Sequence, residues 1–195
     1  MDGLLIFLAS PSGGGKTTVI KELLRRYPER FVYSISSTTR KPRPGEENGK
    51  DYFFLSEEEF RQKIARHEFL EWEHVHDYLY GTDQLVVEEF LRQGKHVLLD
   101  LDVNGTLNVS KKYPDRSITI FVVPPSKEEL IKRLKARGTD SEKEISRRLE
   151  RFPMEMERAQ YFQHVVVNDD LERTVSEVLN IIEQHENKKN FMDKK

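Results

Sequence analysis

The segment Ala9-Ser10-Pro11-Ser12-Gly13-Gly14-Gly15-Lys16-Thr17-Thr18 constrains this chain more than any other. An apolar run, Leu4-Leu5-Ile6-Phe7-Leu8, leads into it and reads as a buried strand. Val19, Ile20, Leu23, Leu24 and Tyr27 follow it at helical spacing. Strand, glycine-rich turn, Lys-Thr and helix are the parts of a phosphate-binding P-loop. Glycines let successive backbone N–H groups converge on an anion without Cβ clashes. A helix starting near Lys16 adds its positive dipole end. Lys16 is placed to reach β- and γ-phosphates, and the Thr17 hydroxyl to ligate Mg²⁺, so Ser10 to Thr18 form a candidate nucleoside-triphosphate site. One position departs from G-x-x-x-x-G-K-[ST]: Ser10 stands where the first glycine is expected. The alternative is an ordinary glycine-rich turn with a solvent-facing lysine. The strand and helix on either side favour the P-loop.

A chain of 195 residues suits one α/β unit with inserted subdomains. With 34% charged residues but a net charge of −2, it is not a generally basic nucleic-acid binder. Cysteine is absent, which excludes disulfides, thiolate metal sites and a thiol nucleophile. No apolar run approaches the roughly 18 residues of a membrane span, and Met1-Asp2-Gly3 carries no basic leader, so a cytosolic protein is expected.

The first helix is expected to stop at Pro28, and a second strand to run from Phe31 to Ser36. From Ser36 to Tyr52 the pattern dissolves into a polar loop whose length argues for function. Ser56 and Glu59 form a capping box, with Leu55 and Phe60 as hydrophobic staple, for a helix over about 57–66. Phe69 to Trp72 reads as a strand and Tyr80-Gly81-Thr82 as a turn or cap. A helix through Leu85, Val86, Phe90 and Leu91 ends at Gly94. His96 to Asp100 reads as a strand, a helix around Leu107 and Val109 ends before Pro114, and Ser117 to Val123 is a strand buried on both faces. Ser126/Glu129 and Ser141/Glu144 repeat the capping signature; Gly138 ends the first of these helices, and Pro153 is expected to kink or break the second. Val165 to Val167 is the last strand, and a helix carrying Val175, Val178, Leu179 and Ile182 precedes a polar tail expected to fray. Alternating strands and helices imply a parallel sheet.

Asp100, at the end of an apolar strand, suits a Walker-B-type aspartate that holds Mg²⁺. A solvated turn residue or helix cap is the plain alternative. Arg40 and Arg43 lie in the long loop; Arg133, Arg137 and Arg148 flank the turn at Gly138. Guanidinium forks stabilise charge in phosphoryl transfer, and a second phosphate-bearing substrate needs a cationic clamp of its own. An ion-paired surface face would carry the same spacing. Glu71, beside Trp72 in an apolar segment, pairs structurally or accepts from a ligand such as guanine, whose adjacent N–H donors suit a carboxylate. Ser36, Thr82 and Asp102 are small polar groups able to complete such an edge. His74 and His76 share a strand face, but no third metal ligand lies near them in sequence.

These residues together resemble the guanylate kinase family. Ser-Ile-Ser-Ser-Thr-Thr-Arg-Lys-Pro-Arg-Pro-Gly-Glu-Glu-Asn-Gly-Lys-Asp-Tyr (34–52) is similar to its GMP-binding segment. Phe-Leu-Glu-Trp (69–72), Tyr-Gly-Thr (80–82), Leu-Asp-Leu-Asp (99–102), Pro-Pro-Ser (124–126), Arg-Leu-Lys-Ala-Arg-Gly-Thr (133–139) and Val-Asn-Asp-Asp (167–170) resemble further family motifs in the right order. The resemblance implies a three-layer P-loop kinase fold: a core from 1–35, 89–125 and 161–187, a GMP-binding insert over 36–88, a lid over 126–160 and a tail over 188–195. It implies that Arg40, Arg43, Tyr52 and Tyr80 take the GMP phosphate, with Glu46 supporting that loop. Ser36, Glu71 and Asp102, with Thr82 nearby, would read the guanine. The P-loop, Arg133, Arg137 and Arg148 would hold ATP, and Thr17 and Asp100 the Mg²⁺. The implied reaction is ATP + GMP → ADP + GDP, in guanine nucleotide synthesis and salvage, by a monomer or homodimer. Lys16, Arg40, Arg133, Arg137 and Arg148 would carry the charge stabilisation. Two rivals remain at this point. A guanylate-kinase-like scaffold domain would use the arginine-tyrosine pocket for phosphopeptides, but such domains typically lose the P-loop lysine. Nucleic-acid binding through the basic stretch 132–151 would be steeply salt-dependent, and the balanced charge speaks against it.

Overall fold

The computed structural model describes residues 3–75, 77–138 and 141–192, with the backbone alone for Arg137 and 188–192. Strand β1 (Leu5–Ala9), helix α1 (Lys16–Arg26) and strand β2 (Phe31–Tyr33) open the chain. Strands β3 (Ser37–Thr38) and β4 (Phe53–Phe54), helix α2 (Glu57–Ala65) and strands β5 (Phe69–Val75) and β6 (Tyr78–Asp83) follow. Next come α3 (Gln84–Arg92), β7 (His96–Leu99), α4 (Val103–Lys112) and β8 (Ser117–Val123). The chain closes with α5 (Lys127–Arg137), α6 (Glu142–Glu157), a 3-10 turn (Arg158–Tyr161), β9 (His164–Val167) and α7 (Leu171–Met192).

The central sheet has the order β2-β7-β1-β8-β9 and is parallel throughout. Every residue of β1 and β8 is buried, as helices on both faces require. Alternate residues of β1 serve opposite faces. Leu4, Ile6 and Leu8 pack with Val19, Ile20 and Leu23 of α1 and with Val175, Val178 and Ile182 of α7. Leu5 and Phe7 meet Val87 and Leu91 of α3 and Val109 of α4 on the other. Each fully buried side chain of this size contributes about 1.5–3 kcal/mol, so the sheet rigidly fixes whatever its strand ends carry. The carboxyl ends of β1 and β7, neighbours in the sheet, set the glycine loop beside residues 100–102. Ligands of open α/β sheets bind at such strand ends.

A second sheet, β4-β3-β6-β5, stands apart from the first in the hydrogen-bonding pattern. It accounts for two departures from the sequence expectation. The second strand stops at Tyr33 rather than Ser36, because β3 pairs instead with β4 and β6. Tyr80-Gly81-Thr82 is not a turn but the middle of β6, bonded on both sides; Asp83 alone caps α3. Gly81 is required by close packing, since a Cβ there would lie 3.0 Å from the Phe60 and Phe69 rings.

The capping boxes at Ser56/Glu59 and Ser141/Glu144 are complete. The Ser126 signature is half realised: its hydroxyl accepts from the Glu129 N–H, but the Glu129 carboxylate turns to Arg133, 3.2 Å away. Pro153 neither ends nor breaks α6, which runs unbroken from Glu142 to Glu157. Pro153 is exposed, so the backbone bond it cannot make lies on the solvent side. Packing on either side holds the helix, with Phe152 against α5 and Met156 against Phe121 and Phe162. The last helix extends to Met192, into the segment expected to fray. No helix among the described residues is long and apolar enough to cross a membrane.

Candidate active site

The glycine loop closes on α1 as a nest. Gly13 and Gly15 have φ of 90° and 102°, a region that favours glycine. Gly15 is also the residue before the helix, whose first turn carries Lys16, Thr17 and Thr18. Ser10 is not among the residues of positive φ, so the backbone at the departing position accepts a side chain. Pro11 and Gly14 are buried and share a 2.8 Å hydrogen bond, the Gly14 N–H donating to the Pro11 carbonyl. Thr17 and Thr18 are exposed at the helix start. The Lys16 ammonium is ion-paired with Asp100. Beside this loop Gly13, Gly15, Thr18, Arg133 and Asn168 line one cavity.

Helix α6 also reaches the loop. The Arg148 guanidinium donates to the Ser12 hydroxyl, and Glu155, two helical turns on, accepts the Ser12 N–H at 2.9 Å. Arg133 donates to the Asn168 carbonyl at 2.8 Å. The side chain of Arg137 lies outside the described residues, as do His76, Thr139 and Asp140. His74 is exposed, and no cluster of three or more His, Asp or Glu side chains able to hold a metal is found among the described residues.

The second sheet builds the facing pocket. Arg40 is 8% exposed, and its two Nη atoms meet the Glu46 carboxylate at 2.9 and 2.8 Å. Glu46 also accepts the Arg43 N–H at 2.7 Å, which ties the long loop back on itself. This fork raises the Arg40 pKa and holds Glu46 below its ordinary range, chiefly through their mutual hydrogen bonds. The guanidinium stands over the Tyr52 ring, 5.3 Å from its centroid, and Tyr52 meets Tyr80 edge-on at 6.0 Å. Arg43 is exposed, so the loop brings its backbone, not its side chain, into this network.

Tyr33, Ser36, Tyr52, Glu71, Glu73, Tyr80, Asp100 and Asp102 line a cavity of about 340 Å³. Glu71 accepts from the buried Thr82 hydroxyl at 2.8 Å. Asp102 caps α4 through the Gly105 N–H at 2.6 Å. A Cβ on Gly105 would fall 3.1 Å from an Asp102 oxygen and 3.5 Å from a Glu71 oxygen, so both carboxylates converge there. Burial pushes the Glu71 carboxyl up to about 7, with Glu73 and Asp102 adding to it. Such a group gains most from a ligand that brings N–H donors.

The two halves share a wall. Asp100, Leu101 and Asp102 line this cavity and also the one formed by Ser10, Lys16, Glu155 and Arg158. Three residues of this arrangement escaped the sequence reading. Glu155 had a signal, seven residues after Arg148 and so on its helix face. Asn168, only 6% exposed, donates to the Gly14 carbonyl and accepts from Thr174; it lies inside the Val-Asn-Asp-Asp motif (167–170), where an asparagine signals no chemistry of its own. Glu73 shares the strand face of Glu71.

The sequence profile described as guanylate kinase matches residues 3–185. The guanylate kinase of Thermotoga maritima is 47% identical over 182 residues, covering 93% of this chain and 87% of that protein. That of Bacteroides thetaiotaomicron is 47% identical over 189 residues, covering 96% and 92%. The crystal structure of guanylate kinase from Anaplasma phagocytophilum superposes with a TM-score of 0.71 at 31% identity, over 94% of this chain and 86% of that one. With a glycine loop at the end of a parallel sheet, a tyrosine- and carboxylate-lined cavity that shares Asp100 to Asp102 with the cavity beside Lys16, and likeness running nearly end to end, the chain belongs to the guanylate kinase family.

Proposed function

We propose that this enzyme transfers the γ-phosphoryl group of ATP to GMP through the two cavities that share the Asp100–Asp102 wall. That shared wall carries the reading: Lys16 and Ser10 line the cavity on one side of it, and Tyr52, Tyr80 and Glu71 the cavity on the other. The donor phosphates lie on the backbone N–H groups of Ser12 to Thr18 and on Lys16, with Arg133, Arg137 and Arg148 closing from the lid. The acceptor phosphate lies on Arg40, Arg43, Tyr52 and Tyr80; the guanine edge faces Glu71, Asp102, Ser36 and Thr82. Residues 36–88 act as the acceptor-binding insert and 126–160 as the lid over a core of 1–35, 89–125 and 161–187.

An oxygen of the GMP phosphate attacks the γ-phosphorus in line, and the bond to the β–γ bridging oxygen breaks as ADP leaves. No covalent enzyme intermediate forms. The residues contribute position and charge: Lys16 and the arginines neutralise the moving group, and closure of the lid excludes the water that would hydrolyse ATP. Thr17 and Asp100 offer hard oxygen donors beside the nest, a set that suits Mg²⁺ completed by phosphates and water; the ion would neutralise charge on the β- and γ-oxygens. The protein acts as a monomer or homodimer in the cytosol.

Guanine is chosen by unpaired polar groups. AMP lacks the donors that Glu71 requires, a mismatch that gives roughly 10⁴-fold rejection. A coupled ADP-release assay with each nucleoside monophosphate in turn tests the assignment. Rapid ADP release with GMP alone is expected; equal rates with AMP, or release that ignores the acceptor, would refute it.

A further inference from the structure

Strand β5 alternates in its exposure. Trp72 and His74 face solvent, while Glu71, Glu73 and Val75 line the acceptor cavity. Glu71 has an evident task at the base. Glu73 stands in the same wall. Among the described residues its carboxylate has no hydrogen-bond or ion-pair partner. A half-buried carboxylate that lines a cavity with no protein donor on it can accept from a donor on the ligand.

We propose that Glu73 recognises the ribose of the acceptor, its carboxylate accepting hydrogen bonds from the 2′,3′-diol of the nucleoside monophosphate. The inference rests on the acceptor-site reading above. Position supports it first. In the pairing of β5 with β6, Glu71 stands opposite Thr82 at the base end. Glu73 stands opposite Tyr80, which adjoins Tyr52 and Arg40 at the phosphate end. Two residues along a strand span about 6.8 Å. Whatever links a base held at Glu71 to a phosphate held at Tyr80 and Arg40 must cross that interval, and in a nucleotide this is the sugar.

Chemistry supports it second. A phosphate dianion repels a carboxylate and offers it no proton. A vicinal diol offers two O–H donors, and carboxylates are acceptors alone when ionised. Acidic side chains take the same part toward ribose hydroxyls in dinucleotide sites. Burial and the charge of Asp102 raise the Glu73 carboxyl above its ordinary range, so donors from the ligand relieve an unfavourable environment.

The test compares kcat/KM for GMP, 2′-deoxy-GMP and 3′-deoxy-GMP in the wild-type enzyme and in Glu73→Ala and Glu73→Gln. Loss of a hydrogen bond to a charged group predicts a preference for GMP of about tenfold or more over at least one deoxy acceptor. Glu73→Ala should bring that ratio close to one, and Glu73→Gln, which keeps a neutral acceptor oxygen, should leave part of it. Three equal acceptors in the wild type would overturn the proposal. So would an unaltered ratio in Glu73→Ala with a wild-type unfolding midpoint or, if that variant does not fold, an unaltered ratio in Glu73→Gln. Glu71→Gln, assayed with GMP and AMP, separates the two layers. If it leaves the base preference intact, the acceptor-site reading itself falls; if it abolishes that preference while Glu73→Ala spares the sugar ratio, only the ribose inference falls.

Discussion

Replacing Glu71 by Gln should stabilise the protein at alkaline pH while damaging its choice of base. The folded carboxyl is pushed up to about 7, against an ordinary value of 4.5, chiefly by burial. A raised acid pKa means that the folded state holds a proton the unfolded chain has released. The stability tied to that proton is whole below pH 4.5 and is lost as pH rises through 7. The gap between 4.5 and about 7, at 1.36 kcal/mol for each pKa unit, amounts to about 3 kcal/mol above pH 8. The Glu71→Gln amide cannot ionise, yet its oxygen can still accept from the Thr82 hydroxyl, so it escapes this loss without vacating the site. Urea unfolding of both proteins at pH 5 and pH 8 measures the effect. The variant's stability relative to wild type should rise by up to about 3 kcal/mol between the two. A difference that does not change with pH would refute the buried, proton-binding carboxyl. The kinetic counterpart is that KM for GMP in the wild type falls from pH 6 to pH 8, as the carboxylate able to accept two guanine donors becomes populated, and the variant loses that trend.

Lys16→Ala removes the cation at the nest and should lower kcat by roughly 10²–10³-fold; near-normal turnover would remove Lys16 from phosphoryl transfer. Arg40→Ala strands the Glu46 carboxylate in the place proposed for the acceptor phosphate, so kcat/KM for GMP should fall by at least about 10²-fold with KM for ATP little changed, as initial rates at varied substrate will show. Gly15→Ala forces a side chain to φ 102° with its Cβ 2.0 Å from the Asn168 amide nitrogen; a melting temperature lowered by several degrees and severely weakened ATP binding are expected. Ser10→Gly, which restores the familiar loop pattern, should leave KM for ATP within about twofold, because Ser10 has no positive φ to relieve.

The sequence and the structure agree best where local chemistry decides the outcome. The nest is legible because glycine, lysine and threonine must fall at fixed spacing between a strand and a helix, and the capping boxes at Ser56 and Ser141 because a side chain satisfies a donor three residues away. Tertiary contacts decide the rest. Thr82 looks like a cap until β3 and β5 claim the strand on both its edges. Pro153 should kink or break a helix, but α6 runs through it, with Phe152 and Met156 packed on either side. Glu155 and Asn168 act on Ser12 and Gly14 across separations of 143 and 154 residues, where no spacing rule reaches. The arginines were recognisable as a set, yet only the folded chain distinguishes the buried Arg40, forked on Glu46, from the exposed Arg43.

The central claim is that donor and acceptor cavities meet across Asp100, Leu101 and Asp102. An inhibitor joining adenosine and guanosine 5′ to 5′ through a polyphosphate bridge probes this meeting directly. Steady-state inhibition should be competitive against both ATP and GMP, with an affinity well above that of either nucleotide. Competition with one substrate alone, the other binding unhindered beside it, would contradict two nucleotides held face to face.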